Sequence, residues 1–467
     1  MRPAALALVL LAAFWPPAPQ AQTTAVLPLR AQAETHDRWL EHRLETLVPA
    51  LMRREGIDMW IVSAREYNED PVIRTMLPAT WLAARRRTVL VFYDRGAPGA
   101  DAPGADAPGA DAPGASGEGT ASGVERLAVA RYDVGPFPRA WDPEAQPDQW
   151  ARVAEIVAER DPRRIGVNVS GTFATADGLT ASEREGLLAA LPERYRQRLV
   201  SAERLAVGWL ETRTAPELAA YPAVVALARD VLHAGLSREA ITPGVTTTDD
   251  LAWWLRERVR GLGLETWFHP GVSVQRASGE ARNGDFSARD GARTILPGDL
   301  VWVDFGISYL GLTTDTQQMA YVLRPGETEA PAGLRAGIAA ANRVQDHLTG
   351  AFARARTGND ILARALAASR AEGLDATIYT HPIGLYGHGP GPTIGLWDQQ
   401  GGVPGRGDYP LFANTAHSIE LNVAAPVPEW GGQRVRFMLE EDALFDGRRV
   451  TYLDGRQTEL LLIPRAR

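Results

Sequence analysis

Apolar positions along the chain follow one periodicity early and another late. From Arg38 to Glu55, RWLEHRLETLVPALMRRE places Leu40, Leu44, Leu47 and Leu51 on one helical stripe and predicts an amphipathic helix. Short apolar runs at Ile57–Val62, Thr88–Tyr93, Leu127–Tyr132 and Ile165–Val169 read as strands. Helical stretches at Asp148–Arg160 and Ser182–Leu191 are interspersed, which predicts a small α/β domain over residues 23–210. Inside it, at about residues 96–123, lies a GADAP-type repeat running into SGEGTASG. Proline, glycine and alanine in that density cannot bury a core, so a disordered surface loop is expected.

A boundary falls near Glu211–Pro216 (ETRTAP), which opens a second domain over 211–467. Helical patterns at Glu217–Leu236 and Leu251–Leu262 flank TPGVTTTDD, where Thr246 to Thr248 and Asp249 offer N-caps. Beyond them the chain turns strand-rich at Leu300–Tyr309, Leu312–Val322, Ser418–Val423, Val435–Phe445 and Thr458–Ile463. Helices at about Ala330–Arg354 and Asp360–Glu372 separate the early strands from the late ones, giving an α+β domain.

Composition refines this picture in four places. A length of 467 residues exceeds one ordinary domain. A net charge of -8 with no basic stripe argues against a nucleic-acid partner. Absence of cysteine excludes disulfides, zinc–thiolate sites and cysteine nucleophiles. Finally, Arg2 precedes an apolar run from Ala4 to Trp15, then Pro16-Pro17 and small residues up to Ala21, the shape of a signal peptide over 1–22. About twelve apolar residues are too few for a hydrocarbon core that needs roughly twenty. The expectation is export to the periplasm or outside the cell, with no membrane attachment after cleavage.

The chemistry is carried by Asp304, Asp315, His381, Glu420 and Glu440, each in a strand-like or glycine-punctuated segment. In LVWVDFGISYLGLTTDTQQMAYVL two strands join at Tyr309-Leu310-Gly311, which sets the two aspartates roughly opposite each other. Carboxylates so close repel unless a cation lies between them or one is protonated. His381 opens HPIGLYGHGPGP, a glycine-rich loop that also carries His388. The histidines at 36, 42, 233, 347 and 417 lie in polar or helical contexts and read as solvated or packing residues. Glu420 in SIELNV and Glu440 in RFMLEEDALF fall in apolar runs where an unpaired carboxylate is costly. Strand alternation puts Glu440 and Asp442 on one face and Glu441 on the other, which leaves the choice between them open. An oxygen-rich site with one nitrogen suits manganese, cobalt, iron or zinc, and two such cations can activate a bridging water for hydrolysis.

The order of these residues resembles the pita-bread metallopeptidases: methionine aminopeptidase, prolidase and aminopeptidase P. The resemblance rests on Asp-x-Gly at Asp304–Gly306, a second Asp eleven residues on, His-x-x-Gly at His381–Gly384, a second His seven residues after the first, and two strand-borne glutamates. RTAPELAAYPAV resembles the helix that opens their catalytic domain, and the first domain resembles the one they share with creatinase. The resemblance implies an α+β chain, with a creatinase-like α/β domain ahead of a pita-bread catalytic domain. It further implies two divalent metal ions (manganese foremost), a small peptide as substrate with cleavage at an Xaa-Pro bond, and a homodimer. On that basis Asp304 would chelate one metal, Asp315 and Glu440 would bridge both, and His381 would bind the other. Glu420 would be ligand and general base, and His388 would contact the substrate carbonyl.

Departures from the pattern fall outside the cage. The stretch about seventeen residues before Asp304 reads NGDFSAR and lacks the usual histidine, and His269 in FHPGVSVQR is the nearest substitute. Gln318 stands where an Arg is common, and Leu421-Asn422 where Pro-Gly is usual. The alternatives are a metal-dependent lyase or a non-peptide amide or amidine hydrolase on the same fold, and a non-catalytic binding protein. Retention of all five ligands counts against the metal-free creatinase chemistry and against simple binding.

Overall fold

The computed structural model describes residues 26–96, 123–277 and 291–464. The expected leader, the body of the GADAP repeat and the NGDFSAR stretch lie outside the described residues.

Helix α1 spans Leu29–Glu55 and begins well before Arg38, because the LRAQAETHD turns carry no apolar stripe to announce them. Leu40, Leu44, Val48, Leu51 and Met52 are buried, and Gly56, at φ 61°, ends the helix in the left-handed conformation. The first sheet then forms from β1 (Met59–Arg65), β2 (Arg87–Asp94), β3 (Val124–Val129), β4 (Ile165–Val167) and β5 (Leu199–Ser201), in the order β3-β2-β1-β4-β5. Pairs β1–β2 and β2–β3 are antiparallel, whereas β1–β4 and β4–β5 are parallel. Helix α2 is a single turn at Pro71–Arg74, and α3 (Gln149–Arg160), α4 (Ala181–Ala190), α5 (Glu193–Arg196) and α6 (Glu203–Glu211) complete this α/β unit. Asp148 caps α3 by accepting from the Trp150 and Ala151 amides.

Helix α7 (Ala215–Gly235) opens with a capping box in which Thr214 and Glu217 satisfy each other's backbone amides. Thr247 and Asp250 repeat the device at α8 (Thr248–Gly261). The second half then builds β6 (Gly271–Gln275), β7 (Leu300–Phe305), β8 (Ser308–Tyr309), β9 (Leu312–Thr313) and β10 (Thr316–Val322), followed by helices α9 (Ala332–Phe352) and α10 (Gly358–Ala371). Strands β11 (Ala376–Ile378), β12 (His381–Ile383), β13 (Thr415–Ser418), β14 (Leu421–Val427), β15 (Gln433–Leu439), β16 (Asp442–Phe445), β17 (Val450–Tyr452) and β18 (Leu461–Ile463) complete it. They form sheets in the orders β18-β10-β7-β6, β11-β14-β15 and β12-β13-β16-β17.

Strand alternation decides which side chains reach the interior face. Val301, Val303 and Phe305 pack on Tyr221, Val224 and Leu255 of α7 and α8, so Trp302 and Asp304 point the other way. On the opposite side α9 covers β14 and β15 through Ile338, Leu348, Val423, Val435 and Phe437, and α10 packs beside it against β11. Gly337 of α9 sits directly over Phe437, whose ring would lie 2.0 Å from an added Cβ.

That close approach yields a stability prediction. Alanine at 337 gains about 1 kcal/mol of helix propensity, but overpacking a fitted contact costs roughly 1–3 kcal/mol. Gly337→Ala is therefore expected to lower the urea midpoint with an unchanged m value. An unchanged or raised midpoint would mean that α9 does not lean on Phe437 in solution.

Candidate metal centre

Two hairpins and one short strand bring the five expected side chains together. Strands β7 and β10 pair antiparallel with Asp304 opposite Gln317, and the register continues through Ser308↔Thr313 and Tyr309↔Leu312. The turn is the two-residue Leu310-Gly311, with φ values of 55° and 76°. Asp315 thus falls two positions away from the residue facing Asp304, on the same face and diagonal to it. From sequence the pair is expected roughly opposite across a Tyr309-Leu310-Gly311 turn; the turn is one residue tighter, which moves the register one position further and leaves Asp315 diagonal to Asp304. Asp315 faces Gly306, where an added Cβ would meet the Thr314 carbonyl at 2.2 Å and the Trp267 indole nitrogen at 2.6 Å. The glycine of Asp-x-Gly is therefore required by space.

Glu420 and Glu440 were expected within unbroken strands; both lie at breaks. The chain leaves β13 at Ser418 and enters β14 at Leu421, a strand of another sheet, and the same happens between β15 and β16. Glutamate sits at each crossing. Gln317 and Glu440 form an isolated antiparallel bridge that ties the crossing to β10. His381 opens β12 and so lies in a strand, paired with Ser418.

The ligand atoms of Asp304, Asp315 and Glu440 lie within 4.8 Å of one another, as do those of His381, Glu420 and Glu440, and those of Asp315, His381 and His388. His381 Nε2 is 3.6 Å from Asp315 Oδ2 and 3.5 Å from Glu440 Oε1. Its Nδ1 donates to the Pro382 carbonyl at 3.0 Å, which fixes the tautomer that turns a lone pair inward. Ser418 Oγ donates to Glu440 Oε1, while Asp442 accepts the Asp315 amide at 3.1 and 3.3 Å. Thr380 Oγ1 accepts the Glu420 amide at 2.9 Å. Glu441 faces away and takes the Gln457 amide, near Arg229.

Electrostatics in this volume are severe. Burial, reinforced by the Glu440 charge, pushes the Asp304, Asp315 and Glu420 carboxyls well above the ordinary carboxylate range. Burial alone would lower the His381 imidazole, but Glu440 outweighs it and raises the group to about 9. Asp304 Oδ1, Asp315 Oδ1 and His381 Nε2 are buried without a hydrogen-bond partner among the described residues. Buried polar atoms are seldom left so. Inward lone pairs on oxygen-rich ligands with one imidazole are what a divalent cation requires, so the residues fit the metal.

His388 reaches the rim, with its ring 4.7 Å from that of His381 and 5.1 Å from that of Trp267. Burial of its inner edge and the His381 charge lower its pKa to about 4. His269 stands elsewhere, 5.1 Å from the Trp253 ring, and belongs to none of the three ligand groups. Gln318 points outward to His233 on α7 at 2.9 Å. Sequence reasoning missed Gln317, which strand parity with Asp315 could have flagged, and Trp267, whose indole donates to the Thr314 carbonyl at 2.9 Å. No sequence signal marked Trp267.

Comparison with known proteins agrees with this geometry. Residues 220–440 match the model of metallopeptidase family M24. No curated protein sequence matches the chain. The X-Pro aminopeptidase from Thermotoga maritima MSB8 superposes with a TM-score of 0.60 at 15% identity, over 87% of this chain and 98% of that one. The Xaa-Pro dipeptidase from Bacillus anthracis gives 0.58 at 15% identity, over 93% and 100%. The prolidase from Pyrococcus furiosus gives 0.53 at 14% identity, over 88% and 99%. The chain therefore has the pita-bread fold with a small α/β domain ahead of it, and its residues 220–440 match the model of metallopeptidase family M24.

Proposed function

We propose that the protein is a dinuclear metal-dependent peptidase that cleaves short peptides at an N-terminal Xaa-Pro bond. The observation that carries this reading is the convergence of four carboxylates and one imidazole with buried, unpartnered lone pairs. Xaa-Pro specificity draws its support from the activities of the superposable enzymes and from the α/β domain ahead of the catalytic one.

Asp304, Asp315, His381, Glu420 and Glu440 would hold the cations, and Asp315, His381 and Glu440 each belong to two of the three overlapping ligand groups. Divalent cations bound there supply an activated water and polarise a carbonyl oxygen, and manganese suits the oxygen-rich set. Glu420 would accept the proton of the attacking water as general base. His388, neutral at pH 7 on the argument above, donates from the rim to the developing oxyanion of the substrate carbonyl.

The raised carboxyls make metal removal pH-sensitive. A carboxyl whose folded pKa exceeds its unfolded value takes up a proton on folding, so its contribution favours the folded state at low pH and is lost as pH rises. His381, raised to about 9, acts in the same direction. Chelated protein should therefore melt at progressively lower temperature as pH rises out of the ordinary carboxylate range, and saturating manganese should remove most of that slope. A chelated protein whose melting temperature is flat or rising over the interval would contradict the buried acidic cluster.

Two activity tests follow. Manganese-loaded protein should release the N-terminal residue from Xaa-Pro peptides in preference to Xaa-Ala peptides, and inactivity on both would end the peptidase reading. Asp315→Ala should reduce metal content and turnover together to background, and retained turnover would point to a different site.

A further inference from the structure

Gln317 lies between the two halves of the cage and is used by none of the roles assigned above. It stands on β10 opposite Asp304, and its backbone exchanges hydrogen bonds with Glu440 at 3.1 and 3.3 Å. The side chain is buried, with 2% of the residue exposed. Its Nε2 donates to Glu420 Oε1, and its Oε1 accepts from the Trp302 indole at 3.1 Å. Trp302 and Asp304 occupy the same interior face of β7, so the whole relay runs along one surface of the sheet.

An amide is two-faced. Flipped, Gln317 would set its carbonyl against the Glu420 carboxylate, and two acceptors would meet in a buried space. The Trp302 N–H is donor only, so it binds the carbonyl and leaves the NH2 group to Glu420. One Glu420 oxygen is thereby occupied, and the other is left for the group that it shares with His381 and Glu440.

We propose that Trp302 and Gln317 form a positioning relay that restricts Glu420 to one inward oxygen, so that Gln317 sets metal affinity at this cage without being a ligand. The proposal rests on the metal reading given above. Groups that orient a ligating carboxylate typically change metal affinity by roughly 10–100-fold when removed. The argument places Gln317→Met, of similar length but without donors, in that range. Trp302→Phe leaves the amide in place but free to turn, so a smaller loss is expected. Because both residues act through one oxygen of Glu420, the double variant should be no worse than Gln317→Met alone.

The experiment is calorimetric titration of manganese into chelated wild type, both single variants and the double variant, with melting of the metal-free forms to verify folding. Supporting results are a 10–100-fold weaker affinity for folded Gln317→Met, a smaller loss for Trp302→Phe and non-additivity in the double variant. Affinity within about twofold of wild type for folded Gln317→Met, or losses that simply multiply, would overturn the relay while leaving the metal site standing. Should Gln317→Met fail to fold, Trp302→Phe decides alone: unchanged affinity overturns the relay, and weakened affinity at unchanged melting temperature supports it. Wild type that takes up no manganese would overturn this inference and the metal reading together.

Discussion

Mutual repulsion among buried acids governs this molecule. Two like charges about 4 Å apart cost on the order of 4 kcal/mol at an effective dielectric of ~20, while a domain's entire stability is roughly 5–15 kcal/mol. Asp304, Asp315, Glu420 and Glu440 crowd one volume, with Asp442 close behind. Left fully ionised and unpartnered, such a group would consume most of the stability available. Protons or cations must compensate, which explains why the carboxyls rise so far and why their lone pairs point at one another. The cage is a costly feature that the surrounding architecture exists to hold open.

The architecture holds it in two ways. Glutamates at the β13–β14 and β15–β16 crossings sit where the chain passes between sheets, so each side chain enters from a different direction. Tight glycines then set the spacing. Gly306 yields room to the Thr314 carbonyl, and Gly384 would push an added Cβ to 3.0 Å from the Arg213 guanidinium carbon. Arg213 in turn pairs with Glu217 at the start of α7, and Glu217 is shared with Arg43 of α1 at 2.9 Å. A buried charge network therefore runs from the α/β unit to the strand that carries His381. Removing one member would strand the others, an expensive outcome for buried ions.

Much of this was legible in the sequence, for identifiable reasons. Amphipathic stripes and capping residues marked α3, α7, α8, α9 and α10 to within a few residues, since burial and caps are local signals. The five chemical residues stood out because acids in apolar runs demand a partner. Their arrangement was less legible. Period-two alternation continues smoothly across a strand crossing, so SIELNV and RFMLEEDALF looked like single strands. The diagonal offset of Asp304 and Asp315 depends on whether the turn has two residues or three, and Leu310 at φ 55° gives no compositional warning. Short strands such as β12 carry too few residues for any periodicity to emerge.

Positions outside the cage show how such a site changes its surroundings without losing itself. Asn422, where relatives of the expected kind carry glycine, donates to the Tyr379 hydroxyl at 3.2 Å and accepts from Arg436. Gln318, where an arginine is common, is satisfied by His233 on the outer face of the sheet. Each buried polar residue arrives with its own partner, as the cost of an unpaired donor or acceptor requires. Parity sorts the consequences: on β10 the odd position 317 touches the cage and the even position 318 touches α7. A one-residue slip of that strand would exchange the two faces. The same ladder that aligns Asp304 with Gln317 therefore decides which substitutions are confined to packing and which reach the buried acidic cluster.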